Sequence, residues 1–277
     1  MEEKAKGNLV IIGGAEDKQR DCVILREVVK LAGGNNAEII VMTAATEYPK
    51  EVGNEYIHIF QELGVRNINA VDIASRNDAN NRYSVELIEK ASCIFFTGGD
   101  QLRITSLLGG TQVERAMLEG FRRGIVIAGT SAGASVMSET MIISGKDDET
   151  PKKCTLKMAP GLGLLKEVVI DQHFAQRGRI GRLLTAIAQN PHMLGVGIDE
   201  DTAIHVTPDA VLKVIGSHAV TILDAVSSSH TNVSELQPDE ILAFTNVTLH
   251  VLPAGYGYNL YLRKPIENVS RNQEEIQ

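Results

Sequence analysis

Gly129-Thr130-Ser131-Ala132-Gly133 follows the apolar run Ile125 to Ala128 and precedes the helix-like stretch Ala132 to Thr140. The pentapeptide is a G-x-S-x-G, and a strand-turn-helix context is where that pattern carries nucleophilic chemistry. A tight turn lifts the serine Oγ out of the sheet, and small neighbours let the backbone fold close against itself. The amide of Ala132 then opens a helix, where it can stabilise a developing oxyanion. The rival reading is a glycine-rich turn that serves the fold or holds an anion.

Thr97-Gly98-Gly99-Asp100-Gln101 ends the preceding apolar run, and in an open parallel sheet the carboxyl ends of strands line the ligand crevice. If the two strands are neighbours, the Gly98-Gly99 backbone lies beside Ser131 and can supply the second oxyanion donor. The same residues also read as a helix start, with Asp100 as N-cap. A serine hydroxyl does not ionise unaided, so it needs a base that titrates near neutrality. Of seven histidines, His173 is the best placed, just after the apolar run Val168 to Ile170. An acid must orient that imidazole, and Asp199, Glu200 and Asp201 stand together at the end of the run Gly195 to Ile198. The chain order Ser, His, acid differs from the Ser, acid, His order of α/β-hydrolases, so an ordinary esterase is not expected.

Asp171-Gln172-His173-Phe174-Ala175-Gln176-Arg177-Gly178-Arg179-Ile180-Gly181-Arg182 sets three arginines and an acid around that histidine. Facing a cleft, Arg177, Arg179 and Arg182 bind carboxylates in a bidentate fork while Asp171 takes a cation. A pocket of both signs suits a zwitterionic group such as the free end of an amino acid. The competing reading is a solvated helix start with ordinary ion pairs.

The elements that position these residues alternate. Asn8 to Gly14, Glu38 to Ala45, Ile68 to Ile73, Cys93 to Gly99 and Gly124 to Gly129 are continuous Val, Ile and Phe runs, as in strands covered on both faces. Asp17 to Ala32, Lys50 to Leu63 and Thr111 to Arg123 carry helical apolar stripes. Strand-helix-strand repetition predicts an α/β fold, a mostly parallel sheet with helices on both faces. After Gly195, Val196 to Val206, Ala210 to Gly216, Val220 to Leu223, Val247 to Leu252 and Gly257 to Leu262 are joined by short turns, which predicts antiparallel strands extending or capping that sheet. Ser144 to Lys157 and Ser227 to Asp239 read as polar loops. No repeat or Pro/Ser-rich linker intervenes, so one domain over residues 1–277 is expected, with its core at about 8–262 and a tail at 263–277.

Composition excludes several classes. The 277 residues are 43% apolar and 22% charged with net charge −8, and with no long Lys/Arg run a general nucleic-acid binder is not expected. Aromatics at 4% and no Trp also leave little for base stacking. Cys22, Cys93 and Cys154 form no CxxC, so neither a disulfide framework nor a zinc cluster is suggested. There is no Walker A motif and no H-E-x-x-H, and Gly13-Gly14 does not complete G-x-G-x-x-G, so no cofactor or metal is expected. No apolar run is long enough for a membrane span, and the polar start MEEKAKGN carries no hydrophobic signal core, so a cytoplasmic protein is expected.

Taken together, these residues resemble the cyanophycinase family of serine peptidases, relatives of the aspartyl dipeptidase peptidase E. The resemblance runs from about Asn8 to Leu262. It rests on Ile11 to Lys18 (IIGGAEDK), Phe96 to Gln101 (FTGGDQ), Gly129 to Ala134 (GTSAGA), Asp171 to Phe174 (DQHF) with Arg177 to Arg182 (RGRIGR), and Gly197 to Ala203 (GIDEDTA). It implies a class I glutaminase-like (flavodoxin-like) fold with serine where glutaminases carry cysteine. It further implies Ser131 as nucleophile, His173 as base and Glu200 as third member. Gln101, Asp171, Gln172, Arg177, Arg179 and Arg182 match the family's substrate pocket. The implied activity is exopeptidase release of β-Asp-Arg dipeptides from cyanophycin, a poly-aspartate bearing arginine on each side chain. The rivals are a dipeptidase cutting Asp-X peptides and a non-catalytic anion-binding module, and a homodimer is implied by the family.

Overall fold

Runs of Val, Ile and Phe without polar alternation are stable only when both sheet faces are covered, and four buried strands of this kind build the centre of this molecule, with a more exposed fifth at the sheet edge. The computed structural model describes residues 5–147, 150–153 and 156–267. β1 (Leu9–Ile12), β2 (Glu38–Met42), β3 (Asn67–Val71), β4 (Cys93–Phe96) and β5 (Val126–Thr130) are parallel, in the order β1-β5-β4-β2-β3. The intervening helices are α1 (Val23–Ala32), α2 (Pro49–Glu62), α3 (Arg82–Lys90), α4 (Gln101–Leu108) and α5 (Gln112–Arg123). Along β1, Val10 and Ile12 pack towards α1 and α2, whereas Leu9 and Ile11 face the core shared with α3, α4 and α5. The expected mostly parallel sheet with helices on both faces is therefore what forms.

Past the serine turn come α6 (Ala132–Ser135), β6 (Thr140–Gly145), β7 (Leu156–Pro160), β8 (Val168–Gln172) and α7 (Ile180–Gln189). They are followed by β9 (Leu194–Ile198), β10 (Thr202–Val206), β11 (Val211–Gly216), β12 (Ala219–Asp224), β13 (His230–Thr231), β14 (Phe244–Thr245), β15 (Thr248–Pro253), β16 (Gly257–Asn259) and β17 (Lys264–Ile266). The late strands do two things. β10, β11, β16 and β17 extend the main sheet from the free edge of β1, all antiparallel to their neighbours. β15, β12, β9 and β8 form a second sheet. Val168, Ile170, Val196, Ile198, Val220 and Ile222 on one face of it share the main core. The other face packs Val169 and Leu223 against Leu183, Ala186 and Ile187 of α7.

Several boundaries differ from expectation for identifiable reasons. The helix expected from Asp17 begins at Val23, because the Asp17 carboxylate accepts the amides of Gln19, Arg20 and Cys22 and winds that stretch into a turn. Those backbone donors hold the Asp17 carboxyl down at about 2. The helix expected over Ala132 to Thr140 is a single turn, since the carbonyls of Val136 and Met137 accept amides of Leu162 and Leu165 instead. Val196 to Val206 is two strands in two sheets, divided at Asp199–Asp201. Lys264–Ile266, expected in the tail, pairs with β16. Cys22 and Cys93 are buried free thiols, and Cys154 lies outside the described residues.

Leu183 is fully buried between α7 and the second sheet. Leu183→Ala should lower unfolding free energy by about 2–5 kcal/mol in urea titration, the usual cost of an aliphatic truncation in a rigid core.

Candidate active site

β5 and β1 are parallel neighbours, and the chain leaving β5 is held to β1 by the amide of Ser131, which donates to the carbonyl of Ile12 (3.0 Å). Ser131 sits at φ 54°, ψ −109°, between β5 and α6. A non-glycine residue there costs on the order of 1–3 kcal/mol, so the surrounding contacts must enforce it. Two glycines make that possible. A Cβ on Gly129 would meet the Gly133 carbonyl at 2.6 Å, and one on Gly133 would meet the Phe96 carbonyl at 2.5 Å. The small residues flanking the serine are thus a requirement of packing the turn on β4.

The turn aims Ser131 Oγ at His173 Nε2, 3.0 Å away, and His173 Nδ1 lies 2.7 Å from Glu200 Oε1. His173 follows β8 at φ 48°, and its amide donates to the carbonyl of Gly13 (2.8 Å). Gly14 lies directly beneath the imidazole, where a Cβ would stand 2.3 Å from Cε1 and 2.5 Å from Nε2. Of the three adjacent acids, Glu200 alone reaches the histidine. Asp199 is buried and accepts the amides of Ala175 and Ala219. Asp201 accepts the amide of Asp17 and the hydroxyl of Ser217. The outer two acids tie loops together, and the middle one points into the crevice. His205, by contrast, bonds Asn8 within the main sheet and has a structural part.

Burial pushes the His173 imidazole below its ordinary value; the hydrogen bond that it donates to Glu200 opposes this, and the Arg177 charge adds to it. A neutral imidazole accepting from a hydroxyl on one side and donating to a carboxylate on the other is an arrangement for general-base activation of serine.

On the other flank, β4 lies beside β5 with Phe96 opposite Gly129. A Cβ on Gly98 would be 3.5 Å from that of Ser131, which brings the Gly98-Gly99 loop to the serine as expected. Asp100 caps α4, accepting the amides of Leu102 and Arg103, so the helix-start reading of that loop holds. Gln101 donates both amide hydrogens to the carbonyls of Ile142 and Ile143, fastening β6 over the start of α4.

The arginine-rich block divides. Arg182 Nε donates to Asp171 Oδ2 (2.7 Å) and its Nη2 to Asp171 Oδ1, closing a buried fork. Arg179 donates to Gln172, to Asp171 and to Asp147 of the β6–β7 connection. Asp171 has a side chain 0% exposed, so its expected service to an external cation is taken by Arg182 inside the protein. Its burial pushes the carboxyl up, against the pull of Arg182 and then Arg179. Arg177 differs: it is exposed, its charge reaches His173, and no carboxylate pairs with it among the described residues. Asp147 and the Gly13–Glu16 loop belong to the site without having been singled out for it in the sequence; Asp147 sits in a polar loop with no motif around it. Among the described residues no group of His, Cys, Asp or Glu is arranged to hold a metal ion.

A strained serine at a strand-helix turn, hydrogen-bonded to a histidine that is in turn bonded to a glutamate at the carboxyl edge of a doubly covered sheet, is the arrangement of a serine-type hydrolase. Peptidase family S51 matches residues 9–214, and the chain belongs to that family. A relative from Geminocystis herdmanii named cyanophycinase is 37% identical over 270 residues, covering 97% of this chain and 99% of its own. A cyanophycinase from Nostoc sp. is 40% identical, covering 97% and 91%. The crystal structure of a peptidase from an acI-B1 Actinobacterium shares the fold, with TM-score 0.66, 20% identity and coverage of 93% and 98%. A putative peptidase E from Listeria monocytogenes EGD-e aligns with TM-score 0.53 and 17% identity over 76% of this chain and 98% of that one.

Gly14→Ala forces the imidazole away from Ser131 and should lower kcat on the order of a hundredfold, the scale of a 1 Å displacement in a reacting pair. The pH profile of kcat/KM should place its acid limb lower than an ordinary imidazole would, because a base works unprotonated and His173 is held low. Arg177→Gln removes a charge that disfavours imidazolium, so the limb should move to higher pH.

Proposed function

We propose that this chain is a serine-type exopeptidase that hydrolyses cyanophycin to β-Asp-Arg dipeptides. The observation that carries the chemistry is the pair of contacts Ser131 Oγ to His173 Nε2 at 3.0 Å and His173 Nδ1 to Glu200 Oε1 at 2.7 Å. The substrate is supported by relatives named cyanophycinase that are 37–40% identical over 97% of the chain.

Ser131 Oγ attacks the backbone carbonyl of a β-arginylated aspartate while His173 Nε2 takes its proton. The amides of Ala132, Gly98 and Gly99 receive the oxyanion. His173 then returns the proton to the leaving amine, and an ester to Ser131 remains. Water, deprotonated by the same imidazole, hydrolyses that ester, and Glu200 stabilises the imidazolium in both halves. Gln101, Asp171, Gln172, Arg179 and Arg182 build the wall of the substrate pocket, and Arg177 presents an open guanidinium for a substrate carboxylate.

On this reading residues 1–277 form one domain that acts as a cytoplasmic homodimer. The exposed side chains of Leu249, Val251, Tyr261 and Leu262 are apolar groups that a second copy would cover. The buried free thiols of Cys22 and Cys93 suit a reducing compartment, and no helix among the described residues is long and apolar enough to cross a membrane.

The test is incubation of the purified chain with insoluble cyanophycin, following dipeptide release by mass spectrometry beside Ser131→Ala. Wild type should release β-Asp-Arg, and the variant should lose on the order of 10⁴-fold or more in kcat. Cleavage of Asp-X dipeptides with the polymer untouched would replace the substrate, and full activity in Ser131→Ala would remove the mechanism.

A further inference from the structure

One carboxyl beside the site has no part in the relay. Glu16 is only 5% exposed, one turn after β1. Its Oε2 accepts the hydroxyl of Thr130 (2.6 Å), the residue immediately before Ser131. Its Oε1 accepts the hydroxyl of Tyr56 from α2 (2.5 Å). Tyr56 is itself held, with its ring 4.7 Å from that of Phe95 on β4 and Lys18 Nζ 4.4 Å from its ring centroid. The anchor is therefore rigid: its far end is locked between a sheet strand and a helix.

Burying a carboxyl is unfavourable unless its hydrogen bonds are made, and an apolar side chain would fill the space with less desolvation. The geometry accounts for its presence here. The same short loop contacts the carriers of all three relay members. Ile12 O takes the Ser131 amide, Gly13 O takes the His173 amide, and Gly14 O takes the Asp201 amide next to Glu200. Glu16 is where this loop grips the strand that delivers the serine through side chains as well as backbone.

We infer that Glu16 is a positioning residue for the nucleophile, acting through Thr130 to hold the Ser131 turn in register with His173. The inference rests on Ser131 being the nucleophile. Glu16 does not touch the reacting atoms. It fixes the loop that carries the floor of the imidazole against the residue that precedes the serine, so the two reacting side chains share one frame. Loss of the contact should loosen the Oγ–Nε2 geometry without altering the surface that binds substrate.

Thr130→Val, nearly isosteric, removes the hydroxyl and leaves Glu16 in place, and Thr130→Ser restores it. Both full-length variants are assayed for kcat and KM on cyanophycin and for the rate at which a fluorophosphonate labels Ser131. Thr130→Val should lose roughly tenfold in kcat and in labelling rate, as expected for a small misalignment of a reacting pair, with KM within about twofold. Thr130→Ser should recover most of both. Should Thr130→Val not fold, Tyr56→Phe removes the other donor and should show the same kcat loss at unchanged KM. Labelling and turnover at wild-type rates in Thr130→Val, or an equal loss in Thr130→Ser, would overturn the role of Glu16. A wild-type chain that does not label at Ser131 would instead remove the nucleophile on which the role rests.

Discussion

The hydrogen bond between Ser131 and His173 joins residues from two different sheets, and nothing in either sheet alone brings them within 3.0 Å. The junction is the end of β1. Its three consecutive carbonyls at Ile12, Gly13 and Gly14 take amides of Ser131, His173 and Asp201, so one peptide stretch serves as the common ruler. Such a ruler demands that the chain pass under the imidazole without a side chain. Gly14 answers that with φ +102° and a backbone in contact with the ring. Gly13 meets a parallel demand, since a Cβ there would stand 2.1 Å from the carbonyl oxygen of Asp199. The glycine pair that resembles an incomplete nucleotide-binding motif is instead the seat of the His173 imidazole.

The second junction is the Asp199–Asp201 turn, where the chain leaves the second sheet and enters the main one. Three acids in succession would repel in one direction, and the turn separates them. Asp199 and Asp201 are absorbed by amide donors on opposite sides, and both neighbours being fixed sets the direction in which Glu200 projects. The backbone amide of Glu200 is held as well, by Gln176 from the arginine block. The carboxylate can then wait partly exposed, 35% by area, without drifting from the imidazole.

How much of this was legible depends on the range of the interaction that decides it. The parallel core was readable because burial on both faces writes unbroken Val, Ile and Phe runs into the chain. The strand-turn-helix around Ser131 was readable because the turn needs small residues at fixed spacing. The choice of Glu200 over its neighbours follows from the motif resemblance; the residues alone left three candidates, since amides of Asp17, Ala175 and Ala219 decide which acids are consumed. The split of Val196 to Val206 between two sheets was hidden for the same reason, as both halves are equally buried. Arg179 and Arg182 read as open cations because a sequence cannot show that Asp171 and Asp147 fold onto them. Glu16 lay inside a quoted motif, yet its partners Tyr56 and Thr130 are 40 and 114 residues away.

The arginine block shows why enclosure and availability must be separated in such a pocket. A buried guanidinium needs a carboxylate, and the Arg182–Asp171 fork satisfies both without any ligand. That leaves the pocket wall nearly neutral, and of the cations acting on the imidazole, against its hydrogen bond to Glu200, the strongest is the one that stays in solvent. Arg177 is that group, and its charge acts in two directions. It disfavours protonated His173 in the free protein, which favours the neutral imidazole that can accept from Ser131. A carboxylate seated on Arg177 would cancel that field and make the imidazolium easier to form when the proton is transferred. Binding of an acidic group there would in this way be coupled to the protonation of His173 through a single exposed side chain.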